Sequence, residues 1–265
     1  NVILGLDAPG IEARDWPVCS KPMNLSIVIP AYNEQSRLPK TLDVLERYLE
    51  ELDVDSWEIV VVDDGSSDRT AEKAEEWAER GVRVVRLECN RGKGSALRQG
   101  VKLTQGGFVF FVDADLPYRL DFIERALGLL RGQADAVIGA RDLPESSYDS
   151  SFPKVRVWTG KAFSYVIRAL LPLDVFDTQC GFKGFRGDLI RSAASHAHVE
   201  GYTIDIEILL MLRLWKARIE RQPVHLERHH GSKVRLLRDS ARMLGEVLRI
   251  RRRLARGRYP SARPG

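Results

Sequence analysis

The chain has 265 residues, of which 44% are apolar and 29% are charged, a size and composition that predict a globular fold with a sizeable core. The apolar content excludes intrinsic disorder. No apolar run reaches the roughly 18 residues of a membrane-spanning helix, and the three widely spaced cysteines exclude a disulfide framework. The net charge is +4, but residues 233–258 contain ten Lys or Arg against two acidic residues, which predicts an anionic partner for the C-terminus.

Short apolar runs alternate with stretches of helical periodicity through the first half of the chain. The apolar runs predict strands at Leu25–Pro30, Glu58–Asp63, Val82–Leu87, Phe108–Asp113 and Ala136–Ala140. The stretches between them predict helices at Leu38–Leu52, Thr70–Arg80, Gly94–Thr104 and Leu120–Arg131. Because continuous apolar strands separated by helices are typical of covered parallel sheets, we expect an α/β fold with an open, mostly parallel sheet and helices on both faces.

The second half of the chain has a different pattern. It predicts an amphipathic helix at Phe152–Leu171, a largely buried helix at Tyr202–Lys216 and a strand at Ile219–Leu226. No linker is evident, so residues 23–232 are expected to form one domain with halves at 25–140 and 141–232. Residues 1–22 predict a weakly structured leader, and residues 233–265 a basic amphipathic helix and tail.

Polar residues follow the first four predicted strands. They are Tyr32, Asn33 and Glu34, then Asp63, Asp64 and Gly65, then Asn90, Gly92 and Lys93, and finally Asp113 and Asp115. The carboxyl ends of parallel strands meet at one edge of the sheet, where open α/β sheets bind their ligands. The sequence therefore predicts a binding site at this edge.

Two of these residues suit a divalent metal. In an extended segment, Asp113 and Asp115 would point to the same side, where two carboxylates repel each other unless a cation lies near them. Hard oxygen ligands suit Mg²⁺ or Mn²⁺, which usually also bind substrate phosphates. The alternative is that both carboxylates cap the helix that follows Pro117.

The other clusters suit a nucleotide. Asp63 and Asp64 can accept hydrogen bonds from a base or a ribose, whereas helix capping accounts only for the later Ser67 or Asp68. The segment around Lys93 opens a helix, so its backbone N–H groups and the lysine together predict an anion site. A solvated lysine at a helix start is the alternative. No Walker or GxGxxG spacing is present, which disfavours a P-loop enzyme or a dinucleotide-dependent dehydrogenase.

Taken together, these segments resemble the family 2 glycosyltransferases of GT-A fold, from about Leu25 to the C-terminal helix. The resemblance rests on Ile-Pro-Ala-Tyr-Asn-Glu at 29–34, Asp-Asp-Gly-Ser at 63–66, Arg-Gly-Lys-Gly at 91–94 and Asp-Ala-Asp at 113–115. Segments 177–183, 202–207 and 231–233 are similar to the dolichyl-phosphate glucosyltransferase and mannosyltransferase branch. The string Asp-Thr-Gln-Cys-Gly-Phe-Lys is most similar to the glucosyltransferases.

The resemblance implies a role for each matching residue. The half at 25–140 would bind the nucleotide sugar and the half at 141–232 the acceptor. The residues implied in nucleotide-sugar binding are Pro30, Tyr32, Glu34, Asp63, Lys93, Asp113, Ser232 and Lys233. Asp115, with Asp113 beside it, would bind Mg²⁺ or Mn²⁺ on the diphosphate, although Pro117 stands where some relatives have a further ligand. Arg141 and Arg156 match the family's acceptor-phosphate arginines.

The chemistry of the acceptor decides whether a base is needed. A phosphate monoester is already anionic near pH 7 and can attack the anomeric carbon unaided. A hydroxyl acceptor needs a general base, for which Asp205 or Glu207 is the candidate, with helix-dipole complementation as the alternative for both. Asp113, Asp115 and Asp205 are thus the candidate catalytic residues. A single displacement would invert the anomeric centre and give a β-linked product.

We therefore expect a metal-dependent hexosyltransferase that moves glucose from UDP-glucose, or second mannose from GDP-mannose, to a polyprenyl or dolichyl phosphate. The C-terminal segment has apolar residues at helical spacing among arginines, namely Leu237, Ala241, Leu244 and Leu248. This pattern predicts a peripheral enzyme on an anionic membrane at the cytoplasmic face. Either this helix or a separate membrane protein would hold the enzyme there. A packed helix with a solvated basic face is the alternative. The rivals are a hydroxyl acceptor, a non-catalytic nucleotide-sugar sensor and a nucleic-acid-binding protein; the last leaves the carboxylates unexplained, so no nucleic-acid partner is expected.

Overall fold

A seven-stranded sheet forms the centre of the molecule. The computed structural model describes residues 24–148, 154–174, 177–226 and 236–263. Its strands are β1 (Leu25–Ala31), β2 (Trp57–Asp63), β3 (Val82–Arg86), β4 (Phe108–Phe111), β5 (Ala136–Gly139), β6 (Ser147–Tyr148), β7 (Lys183–Arg186), β8 (Ile219–Gln222) and β9 (His225–Leu226). The order in the sheet is β3-β2-β1-β4-β7-β5-β8, and β6 pairs separately with β9.

Eight helices in the described part of the chain cover this sheet. They are α1 (Leu38–Glu51), α2 (Thr70–Glu75), α3 (Lys93–Leu103), α4 (Asp121–Gly132), α5 (Lys154–Leu170), α6 (Gly187–His196), α7 (Ile204–Leu214) and α8 (Leu236–Ala255). Neighbouring residues of β1 enter different cores: Ile27 and Ile29 pack with α1 and α4, and Val28 packs with α3, α6 and α7. Because successive side chains of a strand point to opposite faces, the continuous apolar run of β1 requires cover on both sides.

The predicted α/β architecture is confirmed, with two strands, β6 and β7, and one helix, α6, that the sequence did not predict. β7 lies in the middle of the sheet and runs antiparallel to both β4 and β5. Its residue Gly184 faces the ring of Phe110, and a Cβ atom there would lie 2.5 Å from that ring. A short strand with a central glycine gives almost no strand signal, because glycine in a strand marks a close approach instead.

Two predicted elements are interrupted. The strand predicted at Ile219–Leu226 is split between β8 in the main sheet and β9 in the small one. Pro223 lies between them and has no N–H to donate to a ladder. The helix predicted at Thr70–Arg80 ends at Glu75 and is followed by a 3₁₀ turn at Ala78–Arg80, which Gly81 closes with a φ of 80°.

The predicted C-terminal helix is confirmed as α8. Val247 and Ile250 are buried against the domain, and Tyr259 beyond the helix is buried as well, whereas Leu244 and Leu248 are each 40% exposed. No helix among the described residues is long and apolar enough to cross a membrane. The predicted leader and the segment 227–235 lie outside the described residues.

The contact between α3 and the sheet predicts a matched pair of glycine variants. A Cβ at Gly100 would lie 2.5 Å from Val28, so Gly100→Ala should lower the free energy of unfolding by about 1–3 kcal/mol, because this part of the core is already filled. At Gly128 in α4 a Cβ would meet nothing within 4 Å, so Gly128→Ala should raise it by up to about 1 kcal/mol. Urea denaturation measures both. Equal effects at the two sites would contradict the described packing.

Candidate active site

Hydrogen bonds join the loops that follow β1 and β2. The N–H of Asn33 donates to Ser66 Oγ at 2.8 Å, and the N–H of Ser67 donates in return to Asn33 Oδ1 at 2.8 Å. The N–H of Glu34 donates to Thr70 Oγ1 at 2.7 Å. The predicted meeting of these polar clusters at one sheet edge is confirmed here.

Asp63 ends β2 and Asp64 follows it directly, but the two carboxylates have different partners. Asp63 is buried and accepts hydrogen bonds from the N–H of Ser66 at 3.2 Å and from its hydroxyl. Asp64 accepts from the N–H groups of Arg91 at 2.9 Å and Gly92 at 2.7 Å. Burial raises the pKa of both carboxyls above the ordinary range. Asp64 therefore holds the loop that leads into α3.

The start of α3 is not an open anion site. The N–H groups of Gly94 and Ser95 donate to the carbonyl of Glu200 at 2.7 and 3.2 Å. A Cβ at Gly92 would lie 2.5 Å from the same carbonyl, so glycine permits this close approach. The expectation that these backbone N–H groups bind an anion was wrong, because the Glu200 carbonyl and the Asp64 carboxylate already accept from them.

Lys93 supplies the positive charge at this position and pairs with Asp113. Its Nζ lies 2.7 Å from Asp113 Oδ1. Burial opposes the charge on Lys93, but Asp113 and then Asp205 outweigh it and hold the lysine pKa above its usual range. Burial likewise opposes the charge on Asp113, but Lys93 outweighs it and holds the aspartate pKa below its usual range. Both groups therefore remain charged at neutral pH.

A second buried pair lies behind the first. Lys183 in β7 is fully buried, and its Nζ lies 2.8 Å from Asp205 Oδ1 and also donates to the carbonyl of Cys180. Lys183 further lowers the pKa of Asp113, just as Asp205 raises that of Lys93. The four groups thus alternate in sign, from Asp113 through Lys93 and Asp205 to Lys183. We call them the alternating charge cluster.

Asp113 and Asp115 lie on a turn, which differs from the extended segment assumed from the sequence. The N–H of Leu116 donates to the carbonyl of Asp113 at 2.9 Å, and Leu116 has a φ of 40°. The hydroxyl of Thr41 in α1 holds the carbonyl of Ala114 at 2.8 Å. On this turn each carboxylate lies near a separate protein cation, Lys93 for Asp113 and Arg37 for Asp115.

The cation next to Asp115 is Arg37, which the sequence did not single out. Its guanidinium binds both carboxylate oxygens of Glu34 at 2.6 Å, and its Nη1 lies 3.8 Å from Asp115 Oδ2. The arginine thus joins the loop after β1 to the turn after β4. A bidentate guanidinium–carboxylate pair fixes orientation as well as charge.

The carboxylates fit a divalent ion that also binds substrate oxygens. No group of three or more His, Cys, Asp or Glu side chains among the described residues could enclose a metal. Mg²⁺ and Mn²⁺ bound to nucleotides usually need only one or two carboxylates together with phosphate oxygens and water, and Asp115 with Asp113 could supply such carboxylates. Pro117 adds no ligand.

Arg141 lies on the other side of this edge, where β5 ends. Its Nε and Nη2 bind the two oxygens of Asp177 at 2.7 and 2.8 Å, and its N–H donates to the same carboxylate at 2.9 Å. Arg141 also lowers the pKa of Asp113, so its charge reaches the site. Arg156 lies in the first turn of α5, but its side chain, like Ser232 and Lys233, lies outside the described residues.

The two acids at the start of α7 are both buried. Asp205 belongs to the alternating charge cluster and is 4% exposed. Glu207 is fully buried and accepts from the N–H groups of His198 and Val199 at 2.8 and 2.7 Å and from the hydroxyl of Tyr259 at 2.6 Å. The functional alternative for Glu207 was wrong, since its carboxylate is saturated by structural hydrogen bonds.

The likeness to known proteins agrees with this geometry. Residues 26–192 match the family described as glycosyl transferase family 2, which is more than half of the chain. The chain belongs to this family. Its sequence is 31% identical over 246 residues to a dolichyl-phosphate beta-glucosyltransferase of Dictyostelium discoideum, covering 88% of this chain and 75% of that protein. It is also 31% identical to the human protein of the same name, covering 89% of this chain and 77% of that protein.

Solved structures share the fold of this glycosyltransferase. Mannosyl-3-phosphoglycerate synthase from Rubrobacter xylanophilus has a TM-score of 0.66 and 23% identity, covering 89% of this chain and 75% of that chain. Glucosyl-3-phosphoglycerate synthase from Mycobacterium tuberculosis, in complex with Mn²⁺ and UDP-glucose, has a TM-score of 0.62 and 22% identity, covering 86% of this chain and 79% of that chain. These likenesses confirm the predicted GT-A type of the fold.

Three residues near the candidate site had no role predicted from the sequence, although Lys183 and Tyr202 lie within segments that carry the family resemblance. Arg37 follows Glu34 at helical spacing, which was a usable signal for an ion pair. Lys183 stands at the end of the Cys-Gly-Phe-Lys string and is buried in β7, which gave no strand signal. Tyr202 is 39% exposed, and its pKa is raised by burial first and then by Asp239 in α8. Only the folded chain brings Tyr202 near Lys93.

The Lys93–Asp113 pair predicts a measurable shift on one carboxyl. Lys93→Met should raise the pKa of Asp113. Burial raises that pKa, and Lys93 is the group that lowers it most strongly. Since pairing holds the pKa below its unfolded value, its contribution to stability is present at neutral pH and is lost as the pH falls through the folded pKa. Titration of the carboxyl carbon by NMR measures the shift.

The matched control is Lys102→Met, at the exposed end of the same helix. It should leave the Asp113 titration unchanged. Urea denaturation as a function of pH should show that wild type is more stable than Lys93→Met at pH 7, by a margin that narrows in acid. An Asp113 pKa equal in wild type and Lys93→Met would refute the pairing.

Proposed function

We propose that this glycosyltransferase moves glucose from UDP-glucose to a dolichyl or other polyprenyl phosphate, with Mg²⁺ or Mn²⁺ and with inversion to a β-linked product. The proposal rests above all on Lys93, whose raised pKa keeps it charged at neutral pH and whose Nζ lies 2.7 Å from the Asp113 carboxylate at the sheet edge. This arrangement suits a nucleoside diphosphate as leaving group. The names of the curated relatives support the acceptor and the sugar.

The loops after β1 and β2 would hold the nucleotide. Tyr32 is 41% exposed at the end of β1 and offers a ring face to a base. Pro30 lies in the same strand, and Asp63 ends the neighbouring strand with a carboxylate that can accept from a base or ribose. Glu34 would act with Arg37, which already holds it. These roles follow from position at the edge and from the family resemblance.

Charge on the departing diphosphate is the main quantity that the site must stabilise. A bound divalent ion on Asp115 and Asp113 would supply Lewis-acid stabilisation of the phosphate oxygens. Lys93 keeps its proton throughout the neutral range and can donate hydrogen bonds to the same group. Ser232 and Lys233 stay a prediction as further contacts to the diphosphate.

The burial of Asp205 supports a phosphate acceptor over a hydroxyl. A hydroxyl nucleophile needs a base within hydrogen-bond reach, but Asp205 is 4% exposed and is paired with Lys183. A phosphate monoester needs no base, because it is an anion already at pH 7. Arg141, whose charge reaches Asp113, is the described candidate to orient that phosphate, and Arg156 stays a second candidate.

A surface on α8 would bring the enzyme to its lipid acceptor. Ala241, Leu244 and Leu248 lie at helical spacing on the exposed side of α8, whereas Val247 and Ile250 on the adjoining side are buried, and we call the three exposed residues the apolar stripe. Exposed arginines flank the stripe, namely Arg242, Arg249, Arg251, Arg252 and Arg256. An amphipathic surface of this kind fits an anionic membrane.

Two described thiols, Cys89 and Cys180, are unpaired, which supports the cytoplasmic face.

Replacement of the metal-binding carboxylate tests the reaction. Asp115→Asn should lower transfer of radiolabelled glucose from UDP-glucose to a short polyprenyl phosphate by about a hundredfold or more, since it removes charge that orients the ion on the diphosphate. EDTA should abolish transfer by wild type, and added Mn²⁺ should restore it. GDP-mannose serves as the second donor.

The matched control is Asp43→Asn, because Asp43 lies on the solvent side of α1 and its ion pair with Arg47 is a surface pair, which contributes little to stability. It should keep full activity. Transfer from GDP-mannose that exceeds transfer from UDP-glucose would overturn the sugar assignment. Metal-dependent binding of UDP-glucose without any lipid product would overturn the acceptor.

Membrane association through the apolar stripe predicts a loss of vesicle binding. The double variant Leu244→Ser with Leu248→Ser should weaken binding to phosphatidylserine-containing vesicles by about tenfold or more, because burying a leucine side chain contributes about 1.5–3 kcal/mol. Binding by wild type should also weaken at high salt, because salt screens the arginines. Vesicle sedimentation measures both effects. Val44→Ser, on the exposed side of α1, is the control and should bind as wild type; equal losses would refute the surface.

A further inference from the structure

One short segment lies between the membrane-facing helix and the charged site. We call residues 200–203, from Glu200 to Thr203, the bridging segment. At its start, the Glu200 carbonyl accepts from Gly94 and Ser95, directly after Lys93. At its end, Thr203 is fully buried and its carbonyl accepts from the first turn of α7, which contains Asp205. The segment therefore fixes the helices of two members of the alternating charge cluster.

Glu246 of α8 holds the other side of the bridging segment. Its carboxylate is 4% exposed, and its Oε2 accepts from the Thr203 hydroxyl at 2.6 Å and from the Thr203 N–H at 3.4 Å. The carboxylate also packs so closely on Gly201 that a Cβ there would overlap it. Arg242 and Arg249 lie 3.7 and 3.9 Å from Glu246 Oε1 and balance its charge.

Glu246 and the apolar stripe lie on opposite sides of one helix. Glu246 is buried next to Val247, whereas Leu244 and Leu248 face outward on the adjoining turns. A helix transmits a shift or rotation along its whole length, because its backbone hydrogen bonds make it rigid. Contact between the stripe and a membrane therefore acts on the same element that holds Thr203.

The middle of the bridging segment lies near the charged site. The hydroxyl of Tyr202 lies within the electrostatic influence of Lys93 and Asp113 on one side and of Asp239 in α8 on the other. The backbone carbonyl of Tyr202 accepts a hydrogen bond from Gln179 Nε2 at 3.5 Å. The bridging segment is thus a continuous physical connection from α8 to the reacting groups.

We propose that Glu246 is a positioning residue that couples α8 to Lys93 and Asp205, so that seating of the apolar stripe on an anionic membrane raises the turnover of the enzyme. This inference rests on the proposed function for its substrate and adds the regulation of the site. Glu246 is buried and its carboxylate is bound to Thr203, so we assign it no contact with donor or acceptor. It acts by fixing the bridging segment, from which both helices of the cluster take their position.

Kinetics with and without vesicles test the coupling. With a short, water-soluble polyprenyl phosphate, wild type should show a higher kcat when vesicles containing phosphatidylserine are added. Glu246→Ala should lower kcat about 10–100-fold, as expected when charged groups shift by a fraction of an ångström, with a smaller change in the donor KM. It should bind vesicles as wild type does and lose their activating effect. Glu246→Gln, which keeps an acceptor for Thr203, should recover part of the activity.

A matched control separates positioning from simple loss of a buried acid. Glu46 on α1 is also 4% exposed and pairs with Arg80 instead of the bridging segment. Glu46→Ala should lower stability without a change in vesicle activation. Equal loss of activation in Glu46→Ala and Glu246→Ala would overturn the proposal, as would full activation of Glu246→Ala.

Hydrogen exchange supplies a readout that needs no turnover. Glu246→Ala should speed exchange of the Gly94 and Ser95 amides, and vesicles should slow their exchange in wild type only. If exchange behaves in this way while wild type transfers no glucose, the coupling holds and the proposed substrate is wrong. If wild type transfers glucose but the exchange rates of these amides change neither with vesicles nor in Glu246→Ala, the coupling is wrong and the proposed substrate stands.

Discussion

The ion pair between Lys93 and Asp113 is the interaction on which the rest of the site depends. Each group is partly withdrawn from water, and the partner 2.7 Å away is the main group that opposes the effect of burial on its pKa. The buried pair of Lys183 and Asp205 extends this arrangement behind the site. Removing one partner of such a pair leaves an uncompensated buried charge, so the four groups constrain one another. The four charged side chains therefore produce an electrostatic field of fixed direction at the sheet edge.

Close backbone contact keeps this field in place. Gly92 and Gly94 let the start of α3 approach the Glu200 carbonyl, and Gly201 lets the same segment approach Glu246. Asp64 holds the loop from the other side through two backbone N–H groups. Backbone groups that looked available to a ligand are therefore used internally. The site presents side-chain charge on a rigid frame, which costs little reorganisation when charge develops on a leaving group.

Sequence reasoning succeeded where local patterns decide the outcome. The apolar runs predicted β1 to β5, and strand polarity alone predicted that Asp64, Lys93 and Asp113 meet at one edge. It failed where long-range packing decides: β7 enters the sheet through a glycine contact with Phe110, and Glu207 is buried by Tyr259, which lies 52 residues further along the chain. The sequence likewise did not predict that the guanidinium of Arg141 binds the Asp177 carboxylate. Partners distant in sequence leave no periodic signal.

The central claim is that an anionic acceptor attacks without a protein base. The most direct test compares two acceptors of equal chain length, a polyprenyl phosphate and the corresponding polyprenol, with UDP-glucose and Mn²⁺ over a range of pH. We predict transfer to the phosphate alone, with a rate that rises through the second ionisation of the phosphate, whose pKa is about 6, and then stays level because Lys93 keeps its proton. Transfer to the polyprenol, with little to the phosphate, would contradict it.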